Sequence, residues 1–368
     1  MNMKLYLPII IVLILLVGAF FLALNWNNQN NTKITIGVIL PLTGELSDQG
    51  QSSKNALILA SEKINSNGGV NGKQVNFIFE DSQCSPEKAV TAFNKLTEID
   101  GAKVIVGDIC SSASLAIAKL ADEKKIVLVN AGTIAKDLTK SPYVFRFWFS
   151  EEQAAEKIAQ KAIAINCNKM SVLYVNNDFG LGFNNVINPS FSSLGGNIVL
   201  SQPLNPTESD FKTSFAKSEQ LSPDCYFLAL YPDGLLLALK QAKELGINKP
   251  FFAHGGIIGV GLDIASDKSL LEGVMGPLFL PPSAEFNNSY KTRFGTAPGV
   301  TADAAYDSVN ALVKVISEKG YDSEQMRIGL ASLKDYAGVT GTINMDSNRE
   351  TNRGLKIQLV KNGAFVDD

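Results

Sequence analysis

The sequence predicts an α/β protein built of two doubly wound units behind an apolar N-terminal segment. Three observations predict it. Strand-like and helix-like stretches alternate from Lys33 to Val129, the pattern that a parallel sheet with crossover helices requires. The same alternation restarts near Gln153. The chain has 368 residues, enough for about two domains at roughly 100–200 residues each.

Composition narrows the function. Hydrophobic residues make up 45% and charged residues 19%, so a core forms and disorder is excluded as the main state. Lys and Arg number 33 against 36 Asp and Glu, so no basic excess exists to hold a phosphate backbone, and no nucleic-acid partner is expected. The chain has one histidine, which excludes a multi-histidine metal centre. No metal and no cofactor is expected.

The first segment is an apolar run from Leu5 to Leu24, preceded by Lys4 and followed by Asn25, Asn27, Asn28, Asn30 and Asn31. A signal-peptide core is roughly 7–15 residues and a spanning helix about 20, so the run has the length of an uncleaved anchor. Cleavage after Ala19 is the alternative, although it leaves Phe20, Phe21 and Leu22 at the new terminus. No cysteine follows the run, which excludes a lipoprotein anchor. Residues 1–32 are therefore read as anchor or signal plus an Asn-rich linker, with the body outside the cytoplasm, held there by residues 5–24. Four cysteines, Cys84, Cys110, Cys167 and Cys225, agree with that compartment: two disulfides with three possible pairings, against four buried thiols in a cytosolic protein.

The elements follow in order. Lys33–Leu40 is a strand, Ser47–Asn67 a helix stopped by Gly68 and Gly69, and Lys73–Glu80 a strand with alternating Val75, Phe77 and Phe79. Pro86–Glu98 is a helix with proline in its first turn, Ala102–Gly107 a strand, Ser111–Lys125 a helix and Ile126–Val129 a strand. The second unit runs through helices Gln153–Ile165, Phe179–Leu194, Asp210–Gln220 and Gly234–Leu245. Its strands are Met170–Val175, Asn197–Ser201, Tyr226–Leu230, Phe251–Ala253 and Gly273–Gly276. After Ser283 come helices Val300–Lys319 and Ser323–Leu333 and β segments at Gly341–Asp346 and Leu355–Lys361.

Ligands of doubly wound sheets sit beyond the carboxyl ends of the strands. Two such loops carry hydroxyls. In Gly107-Asp108-Ile109-Cys110-Ser111-Ser112, Ser111 or Ser112 is placed to cap the next helix, whose first N–H groups form an anion site. In Asn130-Ala131-Gly132-Thr133, small residues let main-chain N–H groups approach a ligand. Together they suit a carboxylate; the alternative is ordinary capping and turn chemistry. Enzyme motifs are poor, and no enzyme is expected. Ser-x-x-Lys recurs at Ser85, Ser209 and Ser214 without the motifs that accompany it in hydrolases, and Gly69–Gln74 lacks the hydroxyl residue of a phosphate loop. His254, beside Gly255 and Gly256, has no nucleophile partner and reads as a cleft-edge or structural residue.

The motifs Ile36-Gly37-Val38 to Thr43-Gly44, Ile64 to Gly72, Glu80 to Cys84, Gly107 to Ser112 and Asn176 to Gly182 together resemble periplasmic binding proteins of the leucine/isoleucine/valine-binding type, the solute-binding components of amino-acid ABC importers. The resemblance implies a type I fold, two doubly wound lobes with a ligand cleft between them. One lobe would hold 33–150 and about 280–353, the other 151–279 and about 354–368. It implies a receptor for an amino acid, branched-chain or other, that closes its lobes and delivers the ligand to an ABC permease as a monomer. A sensing ectodomain, or a binder of amides, urea or small carboxylates, is the alternative.

By the resemblance, Ser111, Ala131 and Thr133 hold the ligand carboxylate, Phe179 and Tyr231 face it from the second lobe, and Gln49 lines the side-chain pocket. Gly255 stands where the family has an acid for the ligand ammonium, so Asp303, Asp233 or another acid would substitute, or the ligand is not a standard α-amino acid. The resemblance also implies Cys84–Cys110 and, from neighbouring strands, Cys167–Cys225. Asn30 and Asn287 begin Asn-x-Ser/Thr sites, which a glycosylating host could modify.

Overall fold

The computed structural model describes residues 33–352 and 354–367. The anchor or signal expected at residues 5–24 lies outside them, as does Asn30. Among the described residues no helix is long and apolar enough to cross a membrane.

The first sheet contains β1 (Lys33–Leu40), β2 (Gln74–Asp81), β3 (Val104–Gly107), β4 (Val127–Asn130) and β5 (Val144–Arg146), in the order β2-β1-β3-β4-β5 and parallel throughout. Every residue of β3, β4 and β5 is buried. Continuous apolar strands of this kind are covered on both faces by crossover helices. Three of those helices are α1 (Ser47–Ser66), α2 (Pro86–Asn94) and α3 (Ser111–Lys124). Ser85 caps α2 from its side chain with Pro86 in the first turn.

The second sheet has the order β15-β14-β10-β9-β8-β6-β7. Its parallel part is β6 (Lys169–Val175), β7 (Asn197–Leu204), β8 (Cys225–Ala229), β9 (Phe251–Ala253) and β10 (Met275–Phe279). Helices α4 (Glu151–Ala164), α5 (Asp178–Ser193), α6 (Phe211–Glu219), α7 (Pro232–Glu244) and α8 (Gly255–Ile264) alternate with these strands. After α9 (Ala284–Phe294), α10 (Ala302–Lys319) and α11 (Ser323–Ala331), a small antiparallel sheet forms from β11 (Tyr336–Gly338), β12 (Gly341–Met345) and β13 (Thr351–Asn352). The chain ends in β14 (Leu355–Lys361) and β15 (Ala364–Asp367), added antiparallel beyond β10. This is the two-lobed α/β architecture that the sequence predicts.

Six elements escape the sequence pattern, among them the short edge strands β11 and β13 of the small sheet. Strand β5 is short, and α9 and β15 are mainly polar or half-exposed. Helix α8 contains Gly255, Gly256, Gly259 and Gly261, which individually disfavour a helix. They are there for packing: a Cβ on Gly259 would sit 2.2 Å from a Val300 methyl. Strand β10 also runs on to Phe279, beyond the expected Gly273–Gly276.

Both disulfides form, Cys84–Cys110 with Cα atoms 5.3 Å apart and Cys167–Cys225 at 5.8 Å. The first closes over the carboxyl end of the first sheet, where β2 and β3 flank β1. The second lies at the amino ends of the neighbours β6 and β8.

Candidate functional site

The loops after β3 and β4 are wired together by one side chain. Asn130, the buried last residue of β4, accepts at Oδ1 from the N–H groups of Gly132 (3.1 Å) and Thr133 (2.9 Å). Its Nδ2 donates to the Asp108 carbonyl and to Ser114 Oγ. Thr133 Oγ1 meets Ser111 Oγ at 3.1 Å. Cys110, and neither Ser111 nor Ser112, occupies the N-cap of α3, with no side-chain cap. Ser111 is therefore the first helical residue, and its hydroxyl turns toward Thr133 instead of the helix.

Arg146 supports this loop from below. It is fully buried at the end of β5 and donates to the Ile134 (2.7 Å) and Ala135 (2.5 Å) carbonyls. It also pairs with Glu350 at 3.2 Å. The sequence marks Asn130 only as the first residue of its loop and gives Arg146 no role, because an Asn or Arg at a strand end carries no periodic signal.

The second lobe contributes aromatic surface. Phe179 and Tyr231 stack with centroids 5.4 Å apart and planes 13° from parallel. Asn177 caps α5 through Gly180 N–H and donates from Nδ2 to Tyr231 Oη at 3.0 Å, which fixes the tyrosine. Burial raises the Tyr231 pKa, so its hydroxyl stays protonated.

His254 precedes α8. Its Nδ1 accepts the Ile257 N–H at 3.3 Å and so caps that helix, while its Nε2 is buried without a hydrogen-bond partner. Rings of Phe149 (5.1 Å), Phe183 (5.9 Å) and Phe179 (6.1 Å) surround it. Burial lowers its pKa from 6.5 to about 3, so the imidazole is neutral.

A cavity of about 30 Å³ lies between these groups, lined among others by Gln49, Ser111, Gly132, Phe179, Tyr231 and His254. None of its lining residues is charged. Gln49 crosses the cleft, donating to the Gly256 carbonyl at 3.4 Å. Such a volume holds only a few waters, each needing roughly 10–15 Å³, so an amino-acid-sized solute enters only when the lobes part or side chains turn.

Of the expected site residues, Gln49, Ser111, Phe179 and Tyr231 line the cavity together. Ala131 and Thr133 are buried just behind the wall, Thr133 against Ser111. Gly255 is placed elsewhere. A Cβ there would come 2.2 Å from the Pro277 carbonyl oxygen, so this backbone has no room for an acid at that position. Asp303 is also elsewhere: it lies in the first turn of α10 and lines a second cavity of about 580 Å³ beside Trp148, Leu280 and Pro281. Thr301, two residues earlier, is the one that lines the smaller cavity. Asp233 lies in the first turn of α7, outside the cavity wall; burial, and secondly the Asp233 charge, raises the pKa of Glu45.

The larger cavity follows the chain connections between sheets, whereas the smaller gathers the carboxyl ends of β3 and β4 on one side and of β6, β8 and β9 on the other. That position is where doubly wound sheets hold ligands, so the smaller cavity is taken as the site. Among the described residues no group of three or more His, Cys, Asp and Glu is gathered that could hold a metal.

Two α/β lobes that close hydroxyls and helix N–H groups of one against aromatic rings of the other define a solute-binding protein. The chain belongs to the periplasmic binding protein family, whose model matches residues 33–364. It is 25% identical to a leucine-, isoleucine-, valine-, threonine- and alanine-binding protein of Pseudomonas aeruginosa, over 85% of this chain and 86% of that one. It is 28% identical to a Leu/Ile/Val-binding protein of Rhizobium johnstonii, over 86% and 88%. In fold it is similar to a leucine-binding protein of Thermotoga maritima, with TM-score 0.84, 23% identity and coverage of 91% and 97%. A Rhodopseudomonas palustris solute-binding protein solved with 3,4-dihydroxybenzoic acid gives TM-score 0.82 at 24% identity, covering 91% and 96%.

Proposed function

We propose that the protein is an extracytoplasmic receptor that closes its two lobes on a small solute of amino-acid size bearing a carboxylate, and presents it to an ABC permease. The observation that carries this reading is the pairing of Ser111 and Thr133 at the N-terminus of α3, opposite the Phe179–Tyr231 stack. The first N–H groups of a helix have no partner within it and attract an anion. The relatives named for leucine, isoleucine and valine support an amino-acid-like solute. A ligand that touches both lobes stabilises the closed form over the open one.

The lobes would comprise 33–150 with about 280–353, and 151–279 with about 354–368. The monomer would be tethered by residues 5–24, which raises its concentration near the permease. The test is thermal unfolding of the purified, oxidised protein against L-amino acids, amides, urea and simple carboxylates. A ligand at 100 times its Kd adds about 2.7 kcal/mol. Selective stabilisation by carboxylate-bearing solutes is expected. Stabilisation by amides or urea alone would overturn the carboxylate assignment.

A further inference from the structure

We infer that the solute carries no ammonium group, and instead presents a hydrogen-bond acceptor to His254 Nε2–H. The inference rests on the receptor reading above and names the class of carboxylate: 2-oxo acids or aromatic acids.

Four observations meet at one place. First, His254 lines the cleft cavity and only 6% of its surface is exposed. A neutral imidazole has one donor nitrogen and one acceptor nitrogen. Nδ1 is the acceptor here, since it takes the Ile257 N–H, so Nε2 carries the proton. That N–H is buried with no partner. A buried donor without a partner is costly, and a ligand oxygen would satisfy it.

Second, no Asp or Glu lines the cavity: Glu45 and Asp178, whose charges reach Tyr231, stand outside its wall, so an ammonium enclosed there would have no carboxylate in contact to replace its water. Third, both residues after His254 are glycines, and at Gly255 the backbone has no room for an acid. A side chain at Gly255 would strike the Pro277 carbonyl, and one at Gly256 would come 2.8 Å from His254 Cε1. With Ile257 adding only apolar surface, the imidazole is the polar side chain that this segment presents to the solute. Fourth, the imidazole lies among Phe149, Phe179 and Phe183, with Tyr231 stacked beyond. Flat unsaturated solutes suit such surfaces, whose rings favour offset-stacked and edge-to-face contacts. The arrangement gives the cleft two polar ends: hydroxyls and helix N–H groups for a carboxylate on one lobe, and a single neutral donor on the other.

The test uses the full chain labelled with 15N-histidine. Because the chain has one histidine, every imidazole signal belongs to His254. The probes are L-leucine, its 2-oxo counterpart 4-methyl-2-oxopentanoate, and benzoate, with affinities from calorimetry. The expected result is that at least one ammonium-free acid binds tenfold or more tightly than L-leucine and shifts the Nε2 resonance. His254→Asn keeps a good N-cap for α8 but withdraws the ring donor. It should lose about tenfold in affinity for that acid while unfolding near the wild-type temperature. If L-leucine binds more tightly than both acids, the inference falls and the receptor reading stands. If an acid binds most tightly but leaves Nε2 unmoved, or binds His254→Asn equally well, the role of His254 is overturned. If none of the three binds, the carboxylate-receptor reading falls and the inference falls with it.

Discussion

The two disulfides occupy opposite ends of their sheets, and the difference separates stability from recognition. Cys84–Cys110 closes over the cleft end of the first sheet, and Cys110 is both the N-cap of α3 and part of the cavity wall. Cys167–Cys225 sits at the amino ends of β6 and β8, far along both strands from Tyr231 and the other cleft residues. One cross-link fixes the residue that starts α3, the helix proposed to hold the carboxylate. The other only ties neighbouring strands. Loss of either should destabilise the fold, but only one should be felt by the ligand.

The largest effect is expected where the closed loop is longest. Cys167 and Cys225 are separated by 58 residues, and loop-closure entropy then gives about 4 kcal/mol of stabilisation. Replacing both by serine should lower stability by that amount in denaturant titrations, with ligand affinity unchanged. A tenfold loss of affinity would break the proposed separation of roles.

Cys84 and Cys110 are 26 residues apart, which gives about 3.5 kcal/mol on the same model. Their double serine variant should be nearly as destabilised and also lose roughly tenfold in affinity, because the start of α3 is released (about 1.4 kcal/mol per tenfold). Calorimetry on both double variants, side by side, compares the two ends directly. Equal affinities would show that the helix start is held by other contacts.

Asn130 sharpens the comparison within the first lobe. Asn130→Ala leaves the Gly132 and Thr133 N–H groups and the Asp108 carbonyl without this partner. Stranding a buried group costs roughly 1–3 kcal/mol, so about 2–3 kcal/mol of stability should go, together with affinity for a carboxylate. Asn130→Asp keeps the acceptor for the two N–H groups but places a carboxylate near the Asp108 carbonyl. It should bind a carboxylate more weakly than wild type in the same titration. Wild-type affinity in Asn130→Ala would remove the loop from the site.

What could be read from the sequence follows from what is local. Alternating strands and helices and the helix start at Pro86 lie within short windows, and the structure shows both, whereas the cap of α3 falls on Cys110 and not on Ser111 or Ser112. The near misses are matters of register and helical phase. Thr301 and Asp303 are two residues apart at the start of α10, yet that spacing turns one toward the cleft cavity and the other toward the larger one. By the resemblance, Gly255 takes the place of an acid in the loop after β9. The Pro277 carbonyl that excludes a side chain there belongs to β10, a strand away in sequence. Arg146 and Asn130 act on partners set by the sheet, and the glycines of α8 answer to a neighbour distant in sequence, since Gly259 leaves room for Val300.

The smallest expected effect lies at the cleft mouth, where the lobes meet with like charges. Glu45 is exposed as a residue, but its carboxyl lies in half-buried surroundings, and burial together with the Asp233 charge raises its pKa from 4.5 to about 7. Glu45 comes from the loop after β1 and Asp233 from α7, so this repulsion grows as the lobes close. The sign follows from the raised pKa: the protonated acid favours the closed state, so its help to closure is complete below about 4.5 and is lost as pH rises through about 7. Ligand affinity should therefore fall between pH 5 and pH 8. The drop should be no more than about fivefold, since an exposed charge pair is worth roughly 1 kcal/mol or less. Glu45→Gln should flatten that pH profile and leave it at the low-pH affinity. An unchanged slope in Glu45→Gln would mean that Glu45 and Asp233 do not oppose closure, and that the pH dependence arises elsewhere in the cleft.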